Sequence, residues 1–328
     1  MVDISSFPPS RFWMRFVSFP GMLNFLRLIN KHPDGVVAKD TVTLVEADKP
    51  FLVRNGKSPS KTTVYHYRNT LLHLGLLQRK KGKLYVNEST AVINLLRNPS
   101  YEVSLSQEEK RTFSELVFAQ QDCQTFFSDI FWPFDTDYSL DSWLSQAVPV
   151  TWGEMDSIGN RRVRMQALHR TKSIDLIKEN HIQALLYGVR YWFRDELGLI
   201  DELFREDYGN IMFPIMPDAS TSDDKILSRL FSGLQFEQEW ERISLRDLAF
   251  SLCIEMRISV ERLYNLIRSL KNTNPGYIVF VPTSRSFATI TAGSGHREEY
   301  ELRSYLRDDS GVYISHIRIH RRLKELLT

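Results

Sequence analysis

Residues 58–88, S-P-S-K-T-T-V-Y-H-Y-R-N-T-L-L-H-L-G-L-L-Q-R-K-K-G-K-L-Y-V-N-E, decide how the rest of the chain is read. Ser60 is a hydrogen-bond acceptor placed to cap a helix. Val64, Tyr67, Leu71 and Leu74 then recur on one helical face. Gly75 suits the left-handed conformation in which helices commonly end. Beyond it, Leu76–Arg79 and Lys83–Val86 are two strand-like runs joined at Lys80-Lys81-Gly82, which predicts a hairpin with a basic tip. Charge sets the stretch apart as well. From Arg54 to Lys83 stand eight basic residues (Arg54, Lys57, Lys61, Arg68, Arg79, Lys80, Lys81, Lys83) and no Asp or Glu, whereas the whole chain nearly balances 42 Lys+Arg against 40 Asp+Glu.

Working outward, Phe16–Lys31 carries Phe19, Leu23, Leu26 and Leu28-Ile29 at helical spacing, with Pro20 suited to a first turn. His32-Pro33-Asp34-Gly35 reads as a turn. Val36–Val53 stays open between two readings: the β-branched run Thr41–Val45 favours a strand, while a helix-turn-helix needs a short helix there. A helix ending in glycine, followed by two apolar residues and a hairpin with a basic tip, resembles the winged helix-turn-helix superfamily of DNA-binding domains over about residues 16–90. In many of its members an early apolar residue of the recognition helix is followed seven residues on by Leu and eleven to thirteen on by Gly-Leu-apolar. From Val64 those places hold Leu71, Gly75, Leu76 and Leu77. Arg68 stands where the pattern usually has Leu, with Tyr67 taking over the core contact.

What the resemblance implies is a helix in the major groove and a hairpin on the backbone. Ser60, Lys61, Tyr65, His66 and Asn69 lie opposite the apolar stripe and would face DNA, with Arg68 beside them. Arg79, Lys80, Lys81 and Lys83 would reach phosphates. A solvated basic face used for protein contact is the competing reading.

From Ser104 the chain reads as helical for about a hundred residues. Ser106-x-x-Glu109 is a capping box opening a helix expected to run through Phe127. Phe126–Trp152, rich in aromatics and holding Pro133 and Pro149, reads as a packed irregular connection. Arg161–Leu203 reads as one or two long helices, with Arg161, Arg162, Arg164, Arg170 and Lys172 as a second basic cluster and Asp195–Asp207 as its acidic counterpart. Pro214, Pro217, Ser220, Thr221 and Ser222 suggest a linker. Helices are then expected at Asp223–Leu234, Ser244–Glu255 and Ser259–Lys271, followed by a turn and strands at Tyr277–Val281 and Phe287–Thr291. That order looks like a second winged helix whose helix joint is about three residues longer than a tight turn. Its outward residues would be Arg257, Arg262, Asn265 and Arg268, with Glu261 opposing a phosphate. Glu298–Thr328 reads as helical, ending in Arg318, His320, Arg321, Arg322 and Lys324.

The expected architecture is therefore mainly α with small β wings, two winged-helix-like units flanking a helical middle. The divisions fall at 1–15 (an N-terminal arm), 16–100, 101–215, 216–295 and 296–328. A hydrophobic fraction of 42% and a net charge of +2 fit a folded protein whose affinity for polyanions must be local. Two cysteines, Cys123 and Cys253, exclude a disulfide framework and suit a reducing, cytoplasmic setting. No apolar run is long enough for a membrane span.

The sequence holds none of the enzyme constellations sought. Gly56-Lys57-Ser58 lacks the glycine a phosphate-binding loop needs at 51, where Phe51 stands, and there is no H-E-x-x-H, C-x-x-C or G-x-S-x-G. Gly293-Ser294-Gly295 lacks a third glycine. Asp135, Asp137 and Asp141, or Glu237, Glu239 and Glu241, read as solvated carboxylates before metal ligands. His316 and His320, taken as one helical turn apart, lack a third ligand. The sequence points to a non-enzymatic, cofactor-free protein that binds double-stranded DNA through its N-terminal unit, as a regulator or the DNA-contacting subunit of an assembly. The helical middle would serve a homodimer or protein partner. The alternative is an architectural subunit of a chromosome-maintenance or defence complex whose winged helices contact protein.

Overall fold

The structure, a computed structural model, describes residues 17–48, 59–120, 149–151, 190–205, 209–216, 221–283 and 305–327. The N-terminal arm, Arg54, Lys57, Cys123, the Asp135–Asp141 group, the cluster Arg161–Lys172, the strand expected at Phe287–Thr291 and Gly293–Gly295 lie outside them. Most of the middle expected to hold a partner does too. Helices dominate among the described residues and the strands form three small antiparallel sheets. The chain divides into two units, one of residues 1–143 with 157–198, the other of 144–156 with 199–328.

The first unit is built on α1 (Phe19–Asn30), in which every residue from Phe19 to Ile29 is buried. Such a helix has no solvent stripe and must be wrapped by other elements. Ser18 caps it through Gly21 N–H and Pro20 sits in its first turn. β1 (Val36–Val37) follows, then α2 (Thr41–Ala47), α3 (Lys61–His73), β2 (Leu77–Lys80), β3 (Lys83–Val86), α4 (Thr90–Leu96) and α5 (Gln107–Phe118). A π-helical turn, Arg190–Glu196, closes the unit.

The β-branched run at 41–45 is helical. Thr41, Val42 and Val45 fall on one face and are buried, and packing of that stripe outweighs a β preference worth under about 1 kcal/mol per residue. The capping box at Ser106 and Glu109 forms, but its helix ends at Phe118, short of the expected Phe127. Glu109 does two jobs there. One carboxylate oxygen accepts from Ser106 N–H at 2.8 Å and the other from the buried Arg27 guanidinium at 2.6 Å. Phe19 anchors the opposite end of α1, its ring 4.8 Å from Phe113 and 4.5 Å from Trp192.

In the second unit β4 (Val150–Thr151), β5 (Ile200–Arg205) and β6 (Gly209–Pro214) form one sheet, ordered β4-β6-β5. The helix expected to reach Leu203 is thus a strand over its last part. Next come α6 (Asp223–Ser232), β7 (Trp240–Ser244), α7 (Leu245–Met256), α8 (Val260–Thr273), β8 (Ile278–Pro282), β9 (Leu306–Arg307), β10 (Tyr313–His320) and α9 (Arg321–Leu327). The helix joint is only Arg257, Ile258 and Ser259, with Arg257 left-handed at φ 53°. It is tighter than expected.

The C-terminal segment is the larger correction. Y-I-S-H-I-R-I-H alternates strictly at its end, and that period of two makes β10 the central strand of a sheet ordered β7-β10-β8, with β9 pairing along it. Among the segment's described residues helix is confined to α9. Ile317 and Ile319 point into a core with Leu248, Leu252, Leu263, Ile267 and Ile278.

Among the described residues the two units share one order of elements, helix, strand, two helices, strand, strand, as α1-β1-α2-α3-β2-β3 and α6-β7-α7-α8-β8-β10, with the short β9 added before β10 in the second. These two sheets also place the last strand of that order between two others, β1-β3-β2 and β7-β10-β8, the second sheet being four-stranded because β9 pairs β10 as well.

Candidate nucleic-acid interface

The candidate face of the first unit comes from α3 and the β2–β3 hairpin. Ser60 caps α3, its hydroxyl accepting from Thr63 N–H at 3.2 Å. Val64, Tyr67 and Leu71 are essentially inaccessible and fix the rotation of the helix. That rotation leaves Lys61 and Asn69 exposed and Tyr65, His66 and Arg68 half-buried. Gly75 takes φ +71° and turns the chain into β2.

β2 and β3 pair from Leu77↔Val86 to Lys80↔Lys83, leaving Lys81 and Gly82 as the two loop residues. Both have positive φ, 49° and 78°, the signature of the type I′ turn that matches the twist of a hairpin. Gly82 adopts it freely. Lys81 does so at a cost, since a side chain in that region is disfavoured by about 1 kcal/mol or more. Arg79, Lys80 and Lys81 are exposed. Neither they nor Lys61 form an ion pair with any described residue.

Backbone groups tie the hairpin to the body of the unit. Ala38 N–H donates to Gly82 C=O at 3.2 Å, and Ala38 C=O accepts from Arg68 Nη1 at 3.1 Å and Thr41 Oγ1 at 3.0 Å. Lys83 Nζ donates to Asp34 C=O at 3.1 Å. The Arg68 guanidinium also donates to Asn69 Oδ1 at 3.3 Å and lies 4.9 Å from the Tyr65 ring. Arg68 and Lys83 therefore hold structure together, while Lys61, Arg79, Lys80 and Lys81 project outward. Sequence reasoning had no access to Asp34 and Ala38, because carbonyls and amides carry no residue-type signal.

The second unit treats its basic residues differently. Arg262 donates to Thr221 C=O at 2.6 Å and to Asp223 Oδ1 at 2.8 Å. Arg268 reaches Arg307 C=O at 3.1 Å and bonds Asn265. Arg257 is the left-handed cap of α7, its C=O accepting from Met216 N–H at 2.7 Å. The side chains of Arg262 and Arg268 and the backbone of Arg257 are thus engaged within the unit, and Glu261 is exposed among them. His316 and His320 sit four residues apart on β10, on one sheet face and not one turn of a helix. His320 Nε2 lies 2.8 Å from Glu239 and its Nδ1 accepts from Arg322 N–H at 3.1 Å.

No helix among the described residues is long and apolar enough to cross a membrane. No family model matches the chain, and no curated protein matches it. A solved structure of SspB is similar at 12% identity over 95% of this chain and 84% of that one, with a TM-score of 0.37. A likeness at that level carries no argument about fold or function.

Proposed function

We propose that the first unit is a winged helix that binds double-stranded DNA, with α3 presented to the major groove and the β2–β3 hairpin to the phosphate backbone. The observation that carries the reading is the set Lys61, Arg79, Lys80 and Lys81: exposed, without a carboxylate partner among the described residues, and placed at the start of α3 and on the hairpin. Uncompensated like charges repel one another and are relieved by a polyanion. Tyr65, His66 and Asn69 lie along the same helix and offer donors, acceptors and a ring to base edges. The order of helices and strands in both units supports assigning the second as a winged helix as well. The side chains of Arg262 and Arg268 on its helix α8 are tied into its own unit, so duplex contact is assigned to the first.

The protein acts in this reading as a non-catalytic DNA-contacting regulator or subunit, in a reducing cytoplasm. Cys253 suits such a setting, because burial, and then Asp201 nearby, push its thiol well above the ordinary range and leave it unreactive.

The test is a fluorescence anisotropy titration of the intact chain on a labelled duplex, beside the variant K61A/K80A/K81A. All three side chains are on the surface, so folding should be unaffected. The reading predicts a loss of at least about tenfold in duplex affinity. Equal binding by the two proteins contradicts it.

A further inference from the structure

The register of β10 with its neighbours arranges the outward face of the second unit's sheet in three rows. The first is Trp240, His320 and Tyr277; the second Arg242, Arg318 and Val279; the third Ser244, His316 and Val281. The opposite face carries Ile317, Ile319, Ile278, Ile243 and Phe280 into the core. Rows on one face of a strand lie about 6.5–7 Å apart.

Three features set this face apart from an ordinary solvated sheet. Arg242 and Arg318 are directly paired across strands, a like-charge placement that destabilises a sheet, and neither has a carboxylate partner among the described residues. Both are exposed, and Val279, which completes their row on the edge strand β8, is 43% exposed. The rings are also already ordered against one another: Arg318 lies over Trp240 at 5.3 Å, and His320 meets Trp240 edge-on at 4.9 Å and Tyr277 at 5.6 Å. Burial, then Arg242, hold the His316 imidazole below its ordinary range, with Asp247 opposing, which favours the neutral ring. Glu239, against His320 at the edge of the first row, is an acidic group beside the rings.

We infer that this sheet face is a binding platform for single-stranded nucleic acid, independent of the duplex-binding face of the first unit. Arg242 and Arg318 meet backbone phosphates. Bases stack on Trp240 and Tyr277, which flank the buried His320, and on the Arg318 guanidinium, as flat faces and guanidinium planes accept unstacked bases without regard to sequence. A duplex buries its base faces and gains nothing from the rings. The three rows accommodate about two or three nucleotides.

The experiment titrates the intact chain with a labelled oligothymidylate of about twenty nucleotides, with an abasic strand of equal length, and with polyglutamate as competitor. Two variants accompany the wild type: R242A/R318A, and V279E, which sets a carboxylate in the arginine row at an outward position. The expected result is oligothymidylate binding at least tenfold tighter than the abasic strand, no displacement by polyglutamate at equal charge, and a tenfold or greater loss in both variants. K61A/K80A/K81A should leave this binding unchanged while reducing duplex affinity, so the two faces are tested separately. The inference is overturned if wild type does not bind the oligothymidylate, if either variant binds it as wild type does, or if the abasic strand or polyglutamate serves equally well. Loss of oligothymidylate binding in K61A/K80A/K81A alone would also overturn it, by placing the single strand on the first unit.

Discussion

At the residue scale the closest constraint is between Gly21 and Tyr67. A Cβ at position 21 would overlap the Tyr67 hydroxyl and ring, and both residues are buried, so neither can move into solvent. G21A is expected to destabilise the protein by about 1–3 kcal/mol, the usual cost of forcing volume into a packed core; a denaturant melt with an unchanged midpoint would contradict the packing of α1 on α3. Tyr67 adds a pH signature. Burial first, and Glu196 second, raise its hydroxyl from 10.0 to about 12. The unfolded chain therefore loses this proton at lower pH than the folded one, so the contribution to stability is full below pH 10 and is lost as pH climbs from 10 towards 12. Y67F should flatten stability across that window, measured as melting midpoint against pH. Tyr67 was legible in the sequence as a core residue because its spacing from Val64 and Leu71 is helical. Its conflict with position 21 was not, since contact between distant residues leaves no mark in local pattern.

At the scale of elements, the hairpin turn sets charge against conformation. Lys81 occupies the first loop position at φ 49°, where Asn before Gly is the favoured choice. K81N is expected to raise stability by a few tenths to about 1 kcal/mol while weakening duplex binding several-fold; a variant that is less stable, or that binds as tightly as wild type, would contradict the roles given to this turn.

Other elements show what can and cannot be read without coordinates. α3, its Ser60 cap, its Gly75 terminator and the paired strands were legible because each depends on residues a few positions apart. α2 was not, since its β-branched composition opposes its conformation and only packing of Thr41, Val42 and Val45 decides the matter. β7 was hidden by lying directly against α7. β10 carried a clear alternation, but its charged end resembled a helix terminus. Misreading β10 also concealed the face of Trp240, Arg242 and Arg318, because these residues come together only through strand pairing.

For the whole molecule, two units share one order of elements and one order of strands yet dispose of their basic residues in opposite ways. In the first, lysines stand outward on α3 and the hairpin. In the second, Arg262 and Arg268 are tied into their own unit, and the outward arginines lie on the sheet instead. Net charge, nearly zero across the chain, conceals this division. The central claim, duplex DNA on the first unit, is an electrostatic one and is tested most directly by salt dependence. Each neutralised phosphate contributes about −0.9 to the slope of log affinity against log salt. The account predicts a steep slope for the wild-type chain and a slope shallower by about 2–3 for K61A/K80A/K81A. Identical slopes for the two proteins would contradict it.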